Sequence, residues 1–536
     1  MATHVSDYEH LYEDPIIHKR RWFLLGIMCL SLVMVVMLVA GLNVALPSIQ
    51  SEFDATASQL QWIVDSYALV FAALLLFAGA LGDRFGRKGA LLVGLSIFAV
   101  GSIVGGLGAG PTQIIVGRVI TGIGAAFVMP ATLSLITTVF PPEERRKAIA
   151  MWAGFAGAGG ALGPIVSGAL LEHYWWGSAF LVNVPIVLTV LAAVWLFSPT
   201  SKDPRATPLD PFGAVLSLIG LGSLVFGIIE GPEQGWTSGL ILGSFAVAAV
   251  TLGGFMLWER RSSHPMLPLD LFRDRRMSVG SAVVTIAFFV MFGLFFLFTL
   301  YLQFVKGYSP LSAGLSTLPL ALTLVAVAPR SAAIAEKVGS GAVIAAGFVL
   351  VAAGFGVLSF VEPDTSYGTL VVALVLLGAG MSLTAAPATG SIMSAVPHHK
   401  AGVGSAVNDT TREVGGALGI ALLGSIASAV YRSHIDLSGV AVPPPVAAAA
   451  EESVGAATVL ARQAGVPELA ERAGRAFTDA FALTSRVAVA FTLAGAALVF
   501  FTLSRKTEQQ AATEFAAQHY GAAASPPDPA LEVQTG

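Results

Sequence analysis

Charge is scarce in this chain of 536 residues: only 12% are Asp, Glu, Lys or Arg, against about 25% in an ordinary soluble domain. With 55% hydrophobic residues and a mean hydropathy of +0.77, the sequence carries more apolar surface than a water-exposed core can hide, which excludes a soluble globular enzyme. A basic surplus is also missing. The 29 Lys and Arg against 33 Asp and Glu leave a net charge of −4, so nucleic acid is not an expected partner. A single cysteine, Cys29, excludes an intrachain disulfide and a cysteine-based metal site. No Walker glycine loop, nucleophile–base pair, H-x-x-x-H or aspartate-rich ligand set occurs, which speaks against ATP-driven transport and against a membrane enzyme. His398-His399-Lys400 has no third ligand near in sequence, so no metal is expected there. Nor is a cleavable leader expected. Residues 1–21 are polar, end in His18-Lys19-Arg20-Arg21, and precede an apolar run too long for a signal peptide and without a small-residue cleavage site.

Long apolar runs are what the sequence has in abundance. Fourteen are long enough to cross about 30 Å of hydrocarbon as helices: 22–47, 61–81, 89–109, 112–137, 148–171, 179–197, 211–230, 238–258, 278–305, 311–332, 340–360, 368–394, 402–430 and 482–503. An even count places both termini on one side, and the basic residues say which. One set of loops holds Lys19, Arg20, Arg21, then Arg84, Arg87, Lys88, then Arg145, Arg146, Lys147, then Lys202, Arg205. The same set continues with Arg260, Arg261, Arg273, Arg275, Arg276, Lys337, Lys400, Arg505 and Lys506, while the opposite short loops hold Lys306 alone. Cytoplasmic loops keep Lys and Arg, so both termini are expected in the cytoplasm. The long segment 431–481 carries Arg432, Arg462, Arg472 and Arg475, but long loops are translocated largely regardless of charge. Its Pro443-Pro444-Pro445 stretch reads as loop. The spacing of Leu469, Ala473, Ala476 and Phe477 after Pro467 reads as a short amphipathic surface helix. The tail 505–536 has few bulky apolar residues and is expected to be disordered.

An internal repeat organises the runs. Gly79-Ala80-Leu81-Gly82-Asp83-Arg84-Phe85-Gly86 matches Ala332-Ala333-Ile334-Ala335-Glu336-Lys337-Val338-Gly339 at an offset of 253 residues. Thr121-Gly122-Ile123-Gly124 matches Leu377-Gly378-Ala379-Gly380, and Gly159-Gly160-Ala161-Leu162-Gly163 recurs letter for letter as Gly415-Gly416-Ala417-Leu418-Gly419, both at an offset of 256. The expected architecture is therefore an all-α integral membrane protein: a tail (1–21), a six-helix bundle (22–198), two inserted helices with linkers (199–277), a second six-helix bundle (278–504) containing the loop 431–481, and the tail 505–536. Two parallel six-helix repeats point to alternating access, with substrate held between them near the midplane.

These motifs carry a family resemblance over about residues 22–506. Gly82-Asp83-Arg84-Phe85-Gly86-Arg87-Lys88 resembles the loop motif after the second helix of the major facilitator superfamily. Gly117-Arg118-Val119-Ile120-Thr121-Gly122-Ile123-Gly124 resembles that superfamily's intramembrane-arginine motif. Gly159-Gly160-Ala161-Leu162-Gly163-Pro164 with Gly168 resembles the proline-kinked fifth-helix motif of its antiporters. Fourteen runs with a central insert are similar to its drug and metabolite proton-antiporter branch. The resemblance implies that Asp83 helps to latch the two halves in the outward-facing state, and that Arg118 serves a proton relay or contacts substrate. Gly82, Arg84, Gly86, Arg87, Lys88, Gly159, Gly163 and Pro164 join Asp83 as conformational gating residues. Two departures stand out. Asn43-Val44-Ala45-Leu46-Pro47 is intact, but the stretch 35–41 lacks the acid the branch carries there, and Ser167 replaces a glycine of the fifth-helix motif.

The residues themselves add asymmetries between the copies. Arg118 has Leu374 as its repeat partner, so the fold does not require an arginine, and a charge in mid-span needs a polar cavity or partner. Asp409, Arg412 and Glu413 share one helical face, whereas their partners are Ala153, Ala156 and Gly157. They read either as cavity-facing groups with one excess carboxylate for a proton or a cation, or as a structural salt-bridge cluster. Asp65, between Trp62 and Tyr67, reads either as a proton-coupling acid or as an interfacial residue hydrated from outside. Glu230 and Glu233, flanking Gly231-Pro232, read as loop. Asn43, Phe289, Phe292 and Phe296 are candidates for the substrate cavity, although the same phenylalanines could face lipid. The expected function is export of small, largely apolar organic compounds in exchange for protons across a bacterial-type inner membrane. It needs no cofactor, uses the proton gradient as energy source, and has membrane lipids as surroundings and a monomer as functional unit. A dedicated metabolite or lipid exporter not coupled through the usual helix 1 acid stays open as an alternative, and a membrane enzyme is the rival from another class.

Overall fold

Each apolar run becomes a helix, because backbone groups in hydrocarbon must be satisfied within their own segment. The computed structural model describes residues 11–202, 209–263, 265, 267–396, 401–440 and 442–502. Arg205, His398, His399, Lys400 and the tail 505–536 lie outside the described residues. The long helices are α1 (Pro15–Phe53), α2 (Ala57–Phe85), α3 (Arg87–Gly106), α4 (Pro111–Val139), α5 (Pro142–Leu171), α6 (Ser178–Phe197, with a break after Leu181) and α7 (Pro211–Gln234). There follow α8 (Gly239–Arg261), α9 (Arg275–Val305, closing in a π turn), α10 (Leu318–Val338, preceded by the short helix Pro310–Leu315), α11 (Ser340–Leu358), α12 (Tyr367–Ser394), α13 (Ala401–His434) and α14 (Pro467–Thr502). Among the described residues there is no strand. Thirteen of these helices are long and apolar enough to cross a membrane. The fifth run falls in α5, a helix of 30 residues of which Leu162–Leu171 is the apolar part.

Two boundaries differ from the sequence reading. α1 begins at Pro15, within the expected tail, because Asp14 caps it by accepting the Ile16 and Ile17 N–H groups at 2.7 and 3.2 Å. The amphipathic stretch after Pro467 is the first part of the 36-residue α14. Its face of Leu469, Ala473, Ala476 and Phe477 is buried, so the helix runs on into the bundle without a break. The connection left between α13 and α14 carries two short helices, Pro444–Glu452 and Val454–Ala464. The end of the bundle bearing this connection is the loop end; the other is the basic end.

Packing reproduces the repeat. α1 lies on α5 and both α2 and α3 lie on α4, while α9 lies on α13 and both α10 and α11 lie on α12. Glycines at matching positions permit these close approaches. A methyl group on Gly122 would come within 2.8 Å of the Tyr67 carbonyl, and one on Gly378 within 2.8 Å of the Leu320 carbonyl. Gly163 meets the Met37 carbonyl in the same way, and Gly419 meets that of Phe289. The turns after α2 and α10 also correspond, with Gly86 at φ 127° and Gly339 at φ 95°. Side chains avoid such backbone, so Gly86→Ala is expected to destabilise the protein by roughly 1–3 kcal/mol. A lower melting temperature of the purified protein would show this; an unchanged one would mean that the turn relaxes.

The inserted pair packs together, with the Trp258 Nε1 donating to Asp210 at 2.9 Å. At its loop end α7 lies across the seam between α2 and α13. Ser58 donates to the Ile229 carbonyl (3.4 Å) and Trp62 to Glu230 (2.9 Å), while Ser425 donates to the Ile228 carbonyl (2.8 Å) and Arg432 pairs with Glu233 (3.2 Å). Glu230 and Glu233 are therefore in the last turns of α7 and not in a loop, since these ties hold the helix together past Pro232.

Candidate functional site

Arg118 is fully buried on α4 and does not snorkel to either end. Its Nε donates to the Ile63 carbonyl of α2 at 2.9 Å, and its guanidinium carbon lies 4.3 Å from the centre of the Tyr67 ring. Both terminal nitrogens are buried without a hydrogen-bond partner among the described residues. In the second copy both members of this contact are apolar: Leu374 stands for Arg118, and Leu320 stands for Tyr67 at the offset of 253.

Asp409, Arg412 and Glu413 do share one face of α13. Arg412 pairs with Asp409 at 3.5 Å and lies 4.6 Å from the centre of the Phe288 ring, and Asn408 donates to Asp409 at 3.3 Å. Glu413 differs from Asp409. It is half-buried, makes neither a hydrogen bond nor a contact ion pair among the described residues, and lies within electrostatic range of Arg118 and Tyr67 as well as of Arg412 and Asp409. The cluster is thus part of a four-charge set, formally neutral, that reaches from α4 to α13. The excess carboxylate expected from α13 alone is balanced by Arg118 across the seam, which only the three-dimensional packing reveals.

Asp65 is fully buried in this arrangement of the bundles. It shares a face of α2 with Trp62 and Leu69, and Leu69 clusters with Val225 and Ile229 of α7 and Ala421 of α13. Both of its oxygens are buried without a hydrogen-bond partner among the described residues. Asn43 is half-buried, its amide donating to the Val39 carbonyl at 3.3 Å. The phenylalanines of α9 divide. Phe289 packs on Phe491 of α14 with ring centres 4.8 Å apart, and Gly419 lies against its backbone carbonyl. Phe292 lies over Gly416 beside Phe288, and Phe296 lines a small chamber at the loop end.

The loop motif is engaged with its own bundle and with the linker that follows it. Asp83 pairs with Arg87 at 2.7 Å; Arg87 also donates to the Ser201 hydroxyl at 3.1 Å, and Lys88 to the Trp195 carbonyl at 2.8 Å. Gly82 lies against Ala90, and Arg84 lies over Phe85. The fifth-helix motif faces two ways. Gly159 and Gly163 abut α1, while the Pro164 carbonyl meets Gly314, and a methyl on Gly168 would come within 2.7 Å of the Pro310 carbonyl. Among the described residues, three hydrogen bonds join helices α1–α6 to α9–α14: Gln303 to the Val44 carbonyl (2.9 Å), Ser309 to Glu172 (2.6 Å) and Ser425 to Gln61 (3.5 Å). All three lie toward the loop end, so the seam is closed there.

A buried arginine on the fourth helix lies within electrostatic range of a carboxylate on the thirteenth, between repeated helix bundles. The model of the Major Facilitator Superfamily matches residues 28–420, and the chain belongs to that superfamily. It is a multi-pass protein of the cell membrane that acts on small molecules. Among its relatives, the multidrug efflux pump LfrA of Mycolicibacterium smegmatis is 36% identical over 483 residues, covering 90% of this chain and 96% of that protein. The tetracenomycin C resistance and export protein of Streptomyces glaucescens is 35% identical over 508 residues, covering 92% and 94%. The fold is also that of a bacterial homolog of the lysosomal transporter Spinster in an inward-facing, unoccupied conformation, with a TM-score of 0.64, 17% identity and coverage of 92% and 99%.

Proposed function

We propose that this protein exports small hydrophobic organic compounds from the cell in exchange for protons, by alternating access of the bundles 22–198 and 278–504. The observation that carries this reading is that the buried Arg118 and the unpaired Glu413 lie within electrostatic range of one another, from the two bundles, supported by the export and efflux functions named for its relatives. Ionised, Glu413 is drawn toward Arg118 on the other bundle; protonated, it is released. A proton thereby changes the balance between the two arrangements of the bundles, which is what coupling requires. Asp65, without a hydrogen-bond partner among the described residues, is the second acid of the path. The loop end is outer and the termini cytoplasmic, in keeping with the basic residues at the opposite end. The state captured is closed to the outside. In it Asp83 is held by Arg87, and on outward opening it would be free to meet the second bundle.

Purified protein in vesicles with an imposed pH gradient tests this reading, using ethidium as a cation, tetracenomycin C as an uncharged compound and fluorescein as an anion. Gradient-driven accumulation of at least one, abolished by an ionophore, is the expected result. Asp83→Asn is expected to lower the transport rate several-fold with ligand affinity nearly unchanged, since the loop biases a conformational equilibrium and leaves the cavity chemistry alone. An unaltered rate in the well-expressed variant would remove the latch role.

A further inference from the structure

Hydroxyls inside a helix commonly satisfy themselves on the carbonyl one turn back. On α12 Thr384 donates to the Gly380 carbonyl at 2.8 Å, and Ser391 to that of Pro387 at 3.0 Å. Thr389, between them, is used differently. Its hydroxyl crosses to α13 and donates to Asn408 Oδ1 at 2.9 Å. An asparagine amide has one acceptor side and one donor side, so a donor on Oδ1 turns the Nδ2 group the other way. There it donates to Asp409 Oδ1 at 3.3 Å, and the same oxygen pairs with Arg412 Nη1 at 3.5 Å. Arg412 is in turn seated on the Phe288 ring of α9. Thr389, Asn408, Asp409 and Arg412 thus form one chain of contacts from α12 through α13 to α9, in which Asn408 is almost fully buried.

The repeat shows that the fold does not require this chain. At the offset of 256 residues Leu133 stands for Thr389 and Trp152 for Asn408, as Ala153 and Ala156 stand for Asp409 and Arg412. The hydroxyl and the amide therefore go with the charged trio, not with the helix packing that both copies share. Glu413 is outside the chain, since among the described residues it makes neither a hydrogen bond nor a contact ion pair.

We propose that Thr389 and Asn408 are positioning residues for proton coupling: they hold the Asp409 carboxylate ionised against Arg412, so that protonation falls to Glu413. The proposal deepens the export reading and rests on it. A positive neighbour and an N–H donor both favour a carboxylate over its acid, and Asp409 has both. Arg412, occupied by Asp409, is also kept from pairing with Glu413. Without the Thr389 hydroxyl the Asn408 amide is free to turn over and present its oxygen to Asp409, which favours the acid. Among the described residues, the charged groups acting on Asp409 are Arg412 and Glu413 of its own helix. α9 brings Thr285 and Phe288 to this part of α13 and α12 brings Thr389, none of which titrates. On the side of α2 and α4, Arg118 and Tyr67 act on Glu413, and Asp65 shares the face of Leu69, which clusters with Ala421. Glu230 and Glu233 of α7 are engaged with Trp62 and Arg432, and Arg486 of α14 with the Ser359 carbonyl.

Thr389→Val, which keeps the branched shape and removes the donor, and Thr389→Ser, which restores it, provide the test. Infrared spectra of the purified protein over a series of pH values read the carboxyl directly. In the wild type, Asp409→Asn is expected to leave the protonated-carboxyl band unchanged; in the Thr389→Val background the same change is expected to remove intensity from it at acidic pH. Ethidium transport in vesicles is then followed at a constant gradient with the absolute pH varied. Relative to the wild type, Thr389→Val is expected to lose at least fivefold more rate on the acidic side than on the alkaline side, because protonated Asp409 frees Arg412 to hold Glu413 ionised. Thr389→Ser is expected to follow the wild-type profile. An unchanged profile in Thr389→Val, an equal loss at every pH, or a serine variant that behaves like the valine one would overturn the positioning role and leave the bond as packing. A wild type that moves neither ethidium nor tetracenomycin C under the gradient would instead overturn the export reading, and the infrared comparison, which needs no transport, keeps the two failures apart.

Discussion

Replacing Arg118 by leucine is expected to give a folded, inserted protein in which proton-driven export has fallen at least a hundredfold. A charge at mid-helix costs roughly 2.5–3.5 kcal/mol on insertion scales, and a desolvated cation–π contact such as that with Tyr67 offsets about 2 kcal/mol of it. The bond from Nε to the Ile63 carbonyl adds to that offset, so stability is not what the arginine contributes most. The second copy shows that the geometry accepts leucine: Leu374 is buried in the corresponding place on α12, against the helix that bears Leu320. What the Arg118→Leu variant would lack is the positive charge within range of Glu413. Gradient-driven uptake into inside-out vesicles measures the loss, and thermal melting of the same sample separates it from misfolding. Normal coupled transport in this variant would remove Arg118 from the proton path.

The second large effect is expected at α13. Glu413→Gln is expected to lower gradient-driven export at least tenfold, because Glu413 has no contact partner among the described residues and is the acid of α13 within electrostatic range of Arg118. Asp409→Asn is expected to be milder, since Asp409 is held by Arg412 and Asn408. Neutralising both leaves Arg412 and Arg118 uncompensated in the same seam, so the double variant is expected to lose proton-driven export and to bind cations more weakly. Changing Asp409, Arg412 and Glu413 to the alanine, alanine and glycine of α5 removes Arg412, one of these two uncompensated charges. That variant is expected to recover normal expression without recovering coupling. Proton-linked transport persisting in it would transfer the carrier role to Asp65.

Much of this was legible in the sequence because hydrocarbon leaves the backbone little choice. The apolar runs mark the helices, and the offsets of 253 and 256 residues anticipate that α1–α5, α2–α4 and α3–α4 contacts recur as α9–α13, α10–α12 and α11–α12. Arg118 and the α13 trio stood out because the other copy has apolar residues in their places. Their electrostatic connection did not, since 295 residues separate Arg118 from Glu413 and only the packing of α2 between α4 and α13 brings them within range. Which way a side chain points was equally hidden. Phe289, Phe292 and Phe296 look alike at i, i+3 and i+7, yet one packs on α14, one covers a glycine of α13 and one lines the outer chamber. Asp65 could not be placed before α7 was seen to cover its face. The continuation of α14 from Pro467 depended on burial that no local spacing could establish.

The central claim is that a proton moves inward for each cycle of outward export through the Arg118–Glu413 pair. Simultaneous recording of internal pH and ethidium in vesicles containing the purified wild type or Glu413→Gln tests it most directly. The account requires that adding substrate to the wild type starts a proton flux opposite to the ethidium flux, and that both cease together in Glu413→Gln. Ethidium transport in the wild type with no accompanying proton flux, or a proton flux of wild-type size in Glu413→Gln, would contradict it.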